Sequence, residues 1–518
     1  MSPQLVLLCI TTIQRKKQAV AKIISTQQKS IDAGLLTERL AFFLTCIIFL
    51  FAPLIRGGNR QISLVVLLGL GLLLLAVLVT ERTYQTLSVP STKRLWLFGS
   101  TWQSIAYALL ILSPIWLGIF YLFPLPIDTW SSLAGRGFYT MAMQDLNIAS
   151  PSKLPISLTP AATWASLLAG IPVVAIFCAA LLISTETIKK LLVVLLVVTV
   201  IQVLIAILQF AFGIDSVFYF DAKVGGSVIG SFANRNHLAS LLAMSLPICI
   251  YIFYDQSLKK QLNTSAPENR QKKRIILAFV MFLGFAILSM LLATLSRGGL
   301  MSGFISLGIS LFIYILALGS KASRKQRIAY STFAIVFITA AMLSSGFEKI
   351  QPRLGERLLS DAEVRNTISS ATLVAAAQFW PWGTGLGSFE AVFPRFQPAL
   401  NLGDRGYIEY AHNDYAQILM ELGLFGALLM LVFAVLLIVQ LFQIITIIRF
   451  KRRIPKNLAM QCFCGVGLLA FLMHCWVEFN MHIPALAITA GFLAGVFLRR
   501  PGTDFLYPNK VASTKHHI

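Results

Sequence analysis

Long apolar runs, separated by short clusters of basic residues, set the pattern of this chain. The runs Ile62 to Thr80, Leu191 to Phe212 and Ile275 to Leu295 are each about 20 residues, enough for a helix to cross a ~30 Å hydrocarbon core. The pattern predicts spans over roughly 40–55, 61–80, 103–123, 161–183, 190–213, 237–254, 275–295, 299–319, 328–345, 415–448, 458–477 and 484–498. We therefore expect an all-α polytopic membrane protein of about twelve transmembrane helices.

Composition agrees. Of 518 residues, 57% are hydrophobic and only 12% charged, half the charged fraction of an ordinary soluble domain. The net charge of +22 does not point to nucleic acid, because the basic clusters fall between apolar runs, as the positive-inside rule requires. With the N-terminus inside, the cytoplasmic segments hold 30 of the 43 basic residues. That orientation gives cytoplasmic tails at 1–39 and 499–518 around a transmembrane domain at 40–498. The run Leu5 to Ile13 precedes the cluster Arg15-Lys16-Lys17, the reverse of signal-peptide order. The seven cysteines lie mostly inside apolar runs and read as free buried thiols. Two large external segments remain, Pro124 to Pro160 and the large periplasmic loop at 346–411, with a shorter one from Ile214 to Asn236.

Topology leaves some polar residues unexplained. Arg297, in Ser296-Arg-Gly-Gly299, sits at a membrane boundary, where an arginine is either an interfacial anchor or a functional group. Arg235, among Asn234, Asn236 and His237, reads equally as part of a helix cap or of a sugar or phosphate site. Arg357 and Arg365 share one broad face of a helix in the large loop. His412 opens the helix that re-enters the membrane, where the positive helix end favours a neutral imidazole suited to a general base. Asp414, Gln417 and Glu421 follow as a polar stripe. His474, Glu478 and His482 have a spacing that one helix could align on a metal, but Pro484 argues for a break near Asn480 and for a polar lining instead. No metal or cofactor is expected, and neither a P-loop nor a Rossmann fingerprint is present.

The order of these motifs resembles the bacterial O-antigen ligase and O-antigen polymerase superfamily. The pieces are Gly230-Ser-Phe-x-Asn-x-Asn236, Ser296-Arg-Gly-Gly299, Glu363-x-Arg365, Pro381-Trp-Gly-Thr-Gly-x-Gly387, His412-Asn-Asp-Tyr415, Glu421-x-Gly-x-x-Gly426 and His474-x-x-x-Glu478-x-Asn-x-His482-x-Pro484, over roughly 225–485. The resemblance implies an architecture similar to GT-C type membrane glycosyltransferases. It implies metal-independent, inverting transfer of a glycan from an undecaprenyl-diphosphate-linked donor to an acceptor hydroxyl on the periplasmic face. His412 would be the base and Arg297 would bind the diphosphate with Arg235 or Arg365, while Asp414, Glu421, His474, Glu478, His482 and Arg357 would support them. Lipid A core, another saccharide or a protein Ser or Thr all fit as acceptor, which leaves a protein O-oligosaccharyltransferase open. A transporter of lipid-linked saccharide is the non-enzymatic alternative, but the paired broken helices it would need are not evident.

The orientation is testable: a reporter fused at Gly403 should be active only outside the cytoplasm. Cytoplasmic activity of that fusion would invert the topology.

Overall fold

The computed structural model describes residues 36–88, 101–148, 151–220, 227–258, 267–318, 347–398, 408–451 and 454–500. Within these it is an all-α membrane protein. Seven helices are long and apolar enough to cross a membrane, or eight if one pair bent by 59° is a single span. In chain order the first half comprises α1 (36–51), α2 (Gln61–Ser88), the bent pair α3 (Thr101–Ile111) and α4 (Ser113–Leu122), α5 (Ile127–Ser131), α6 (Gly137–Asp145), α7 (Pro160–Leu182) and α8 (Thr185–Phe212). The second half comprises α9 (Arg235–Leu258), α10 (Pro267–Ala293), α11 (Arg297–Leu318), α12 (Phe347–Gln378), α13 (Phe389–Val392), α14 (Asp414–Lys451), α15 (Lys456–His474) and α16 (Pro484–Leu498). The expected span at 328–345 lies outside the described residues. In the large loop, α12 occupies the first half.

The bundle is built around α9. This helix is the least apolar of the seven candidate spans and the most enclosed, with 89% of its apolar window buried. Helices α8, α10, α11 and α15 pack against it. Small residues let them come close: Gly299 and Gly303 of α11 face Ala239 and Ala243 of α9. A Cβ on Gly299 would lie 2.4 Å from that of Ala239. In lipid, where apolar burial between helices gains little, such close backbone packing is the main source of association. At one end of the bundle the buried Arg499 donates to the carbonyls of Ala180 and Ile183, placing a cation at the C-terminus of α7.

The other end carries a cap formed by the two large segments between spans. β1 (Pro124–Pro126) pairs antiparallel with β2 (Lys153–Pro155). The fully buried Arg136 joins this piece to the later segment by donating to the carbonyls of Ile156 and Gly383, at 2.5 and 3.1 Å. Its guanidinium lies over the rings of Trp130 and Phe379, at 5.6 and 5.4 Å. The turn at 381–387 then docks into a break in α14. At Gly423 the backbone reaches φ 51° and ψ −130°, and Leu424 donates to the carbonyl of Pro381 instead of continuing the helix. The break is needed because the 38-residue α14 would be about 57 Å long if straight, well beyond a membrane's hydrocarbon core. Its first turns therefore belong to the cap.

A Cβ on Gly423 would sit 2.2 Å from the carbonyl oxygen of Pro381, in a backbone region that L-residues avoid. Gly423→Ala should destabilise the protein by more than about 1 kcal/mol, read as a lowered unfolding midpoint in detergent. Gly69→Ala, where a Cβ meets open space, should leave that midpoint unchanged or raise it.

Candidate active site

Chain segments far apart in sequence meet on one carboxylate. Glu478 is fully buried, yet it lies in no helix: α15 ends at His474, and a short 3-10 turn follows at Asn480–His482. The helix thus stops earlier than the expected break near Asn480, and His474, Glu478 and His482 do not share a helical face. Leaving the helix turns the Glu478 side chain inward. There it accepts from the Asn236 amide at the start of α9, from Arg365 Nη1 of α12 at 3.0 Å, and from the His412 ring at 2.9 Å. Among the described residues, no group of three or more His, Cys, Asp or Glu is arranged to hold a metal ion.

His412 lies two residues before α14, not in its first turn, with φ 51°. Asn413 caps the helix by accepting from the amides of Tyr415 and Ala416, and its own amide donates to Ser369 of α12. The left-handed backbone at His412 turns its ring away from the helix and toward Glu478. Asp414 opens α14 but faces inward, accepting from the Met481 amide and from Nδ1 of His482 at 3.0 Å.

Two carboxylate–imidazole pairs therefore stand side by side, and they differ at the far nitrogen. In His482, Nε2 is met by the Gln417 amide at 3.0 Å. That amide also donates to Glu421, while its oxygen accepts from the Ala411 backbone, so its orientation is fixed. In His412, Nδ1 points at Glu478, its side chain is 23% exposed, and no hydrogen bond among the described residues reaches Nε2. His237 and His474 each have a nitrogen without a hydrogen-bond partner, but both residues are buried. Among the described residues, only His412 joins a carboxylate on one nitrogen to an open second nitrogen. A carboxylate on Nδ1–H fixes the tautomer whose Nε2 carries the lone pair.

The cationic residues fall into distinct places. Arg297 is the first residue of α11, exposed, and makes no ion pair among the described residues. Its neighbour Gly298 packs on the C-terminal element, where a Cβ would come within 2.6 Å of Val477 and 2.8 Å of His474. Arg235 is the first residue of α9, half-buried, and Gly299 against Ala239 brings the first turns of α9 and α11 side by side. Two helix N-termini that each begin with arginine make a setting for an anion. Arg365 is one-third exposed and donates to both Glu478 and the Val477 carbonyl. The Arg357 side chain lies outside the described residues. Glu421 is an anchor for the cap: its buried carboxylate accepts from the amides of Gly387 and Phe389.

Several neighbours were not singled out by sequence. Phe479 stacks on Tyr410 at 4.3 Å and meets the rings of His412 and His237 edge-on at 5.1 and 4.9 Å. The turn Arg56-Gly57-Gly58 packs on Phe232, Ile483 and Pro484. One signal was available for it, since Arg-Gly-Gly occurs at 56–58 and again at 297–299.

Burial alone would raise the Glu478 carboxyl, but Arg365 beside it and the His412 ring hold it below its ordinary 4.5. A group so depressed contributes stability that is complete above its ordinary value and is lost as pH falls toward the depressed one. Wild-type thermal stability should decline as pH is taken below 4.5. Glu478→Gln should lower the unfolding midpoint at neutral pH and flatten that acid limb. An equally steep acid limb in the variant would mean that the carboxylate contributes nothing.

Residues 279–431 match the family model described as O-antigen ligase. No curated protein matches the chain. The matched segment holds Arg297, Arg365, His412, Asp414 and Glu421, whereas Arg235, Glu478 and His482 lie outside it. The protein is thus a polytopic membrane protein whose segment 279–431, carrying His412 and Arg297, is similar to the O-antigen ligase family.

Proposed function

We propose that the protein transfers a glycan from an undecaprenyl-diphosphate-linked donor to an acceptor hydroxyl, at the periplasmic face of the bacterial inner membrane. The observation that carries the reading is the unshared Nε2 of His412, oriented by the buried Glu478. In the step, the acceptor oxygen forms a bond to the anomeric carbon while the bond from that carbon to the diphosphate oxygen breaks. The acceptor proton passes to His412 Nε2, and the leaving electron pair stays on the diphosphate. Attack from the face opposite the leaving group inverts the anomeric centre.

Each residue has a physical task in this scheme. Glu478 is a positioning residue: it fixes the His412 tautomer and stabilises the imidazolium that forms. Arg297 and Arg235, at adjoining helix starts, meet the charge that builds on the leaving diphosphate. Arg365 ties Glu478 in place while its side chain stays one-third exposed. Fixed guanidinium groups need no reorganisation as that charge develops.

Single-turnover transfer from a synthetic lipid-diphosphate glycan in purified protein tests the base. His412→Ala should bind donor but transfer roughly 10²–10⁴-fold more slowly, the span typical of a lost general base. His412→Gln should be no faster, since an amide cannot take the proton. Transfer within a few-fold of wild type would leave His412 a purely structural residue.

A further inference from the structure

His412 adopts a backbone conformation that needs support. Its φ of 51° is left-handed, a region that a residue with a side chain keeps only where its surroundings hold it. Both of its chain neighbours are held by Gln417 of α14. The Ala411 amide donates to Gln417 Oε1 at 3.1 Å, and the backbone amide of Gln417 donates to the Asn413 carbonyl at 3.1 Å. Gln417 is buried, so water does not compete for either bond.

The far end of this side chain is tied to the cap. Gln417 Nε2 donates to Glu421 Oε1 at 3.1 Å and lies 3.0 Å from His482 Nε2. The Glu421 carboxylate accepts in turn from the amides of Gly387 and Phe389, and its backbone carbonyl accepts from those of Thr384 and Gly385. Gln417 thus joins the turn at 381–387 to the residues that flank the base.

The amide has one workable orientation. A backbone N–H can only donate, so the atom facing Ala411 must be the oxygen. The nitrogen then offers its hydrogens to Glu421 and His482. His482 Nε2 must therefore accept, which leaves the proton of that ring on Nδ1, donated to Asp414. Turning the amide end for end would set N–H against N–H at Ala411 and oxygen against carboxylate at Glu421. Displacing this side chain therefore releases Ala411 and, with it, the turn that aims His412 at Glu478.

We propose that Gln417 is a positioning residue that seats His412 for proton transfer, by tying the Ala411 turn to the cap through Glu421, a role that rests on His412 being the base. Proton transfer is steep in geometry, so a misplaced base loses rate while donor binding persists.

Hydrogen–deuterium exchange and transfer kinetics on the purified full-length protein test this role. Gln417→Met fills a similar space without hydrogen-bonding groups. In it the Ala411 amide, read from overlapping peptides, should exchange about tenfold or more faster, while α9 and α11 exchange as in wild type. Transfer kcat should fall roughly 10- to 100-fold, with the donor KM within about twofold of wild type. In the His412→Ala background the same substitution should cost nothing further, because a residue that acts only through the base has no effect once the base is gone. Gln417→Glu keeps an oxygen for Ala411 and, by sharing a proton with Glu421, keeps a donor between the two carboxyls. It should retain both Ala411 protection and a kcat within a few-fold of wild type, and it serves where Gln417→Met does not fold. Unchanged Ala411 exchange in Gln417→Met, a kcat within a few-fold of wild type despite faster exchange, an equal loss in the His412→Ala background, or a Gln417→Glu variant that protects Ala411 yet loses kcat would each overturn the proposal. Failure of the base reading looks different: His412→Ala would then transfer within a few-fold of wild type, whatever the Ala411 amide does.

Discussion

The buried carboxylate of Glu478 is the constraint on which this architecture turns. An ionised carboxylate without partners costs at least several kcal/mol to bury, so its position is tolerable only when donors surround it. Here the donors come from three separate places: Asn236 at the start of α9, Arg365 on α12 and His412 before α14. None of these segments can move independently without leaving charge unmatched. The polar end of the bundle is therefore over-determined, while the lipid-facing surfaces of the helices stay permissive.

The same constraint separates two histidines that resemble each other. His412 and His482 both direct Nδ1 at a carboxylate, but Gln417 meets Nε2 of the second, while among the described residues no hydrogen bond reaches Nε2 of the first. Function at such a pair depends less on the presence of an imidazole than on which of its nitrogens the surroundings leave unclaimed. Gln417 also holds Ala411, and so sets where the chain turns into His412.

Much of this was legible in the sequence, and the reasons are physical. Span positions follow from hydrophobicity alone and need no knowledge of neighbours, so α7, α8, α10, α11 and α14 fall where the apolar runs place them. His412 and Arg297 stood out because a charge or a titratable group at a membrane boundary is rare. Spacing along the chain misled for Glu478, since an i, i+4 pattern has meaning only inside a helix and α15 had already ended. Its partners lie 66, 113 and 242 residues away, a separation that no local pattern encodes. Arg136 escaped notice for a related reason: in a segment rich in Pro and Ser it looks like a solvated loop arginine, yet it is fully buried between two rings. The Arg56 turn was hidden because five residues between two spans look like a mere connector.

The position of α9 has a consequence for how the protein is made. A helix leaving the translocon enters lipid according to its own hydrophobicity, and α9 is the least apolar of the seven. Its serines and alanines suit neighbours, not acyl chains. Of the helices that enclose it, α8 precedes it, α10 and α11 follow at once, and α15 is synthesised about two hundred residues later. The centre of the bundle is therefore the segment with the weakest claim on the membrane at the moment it emerges, and its retention depends on helices not yet translated.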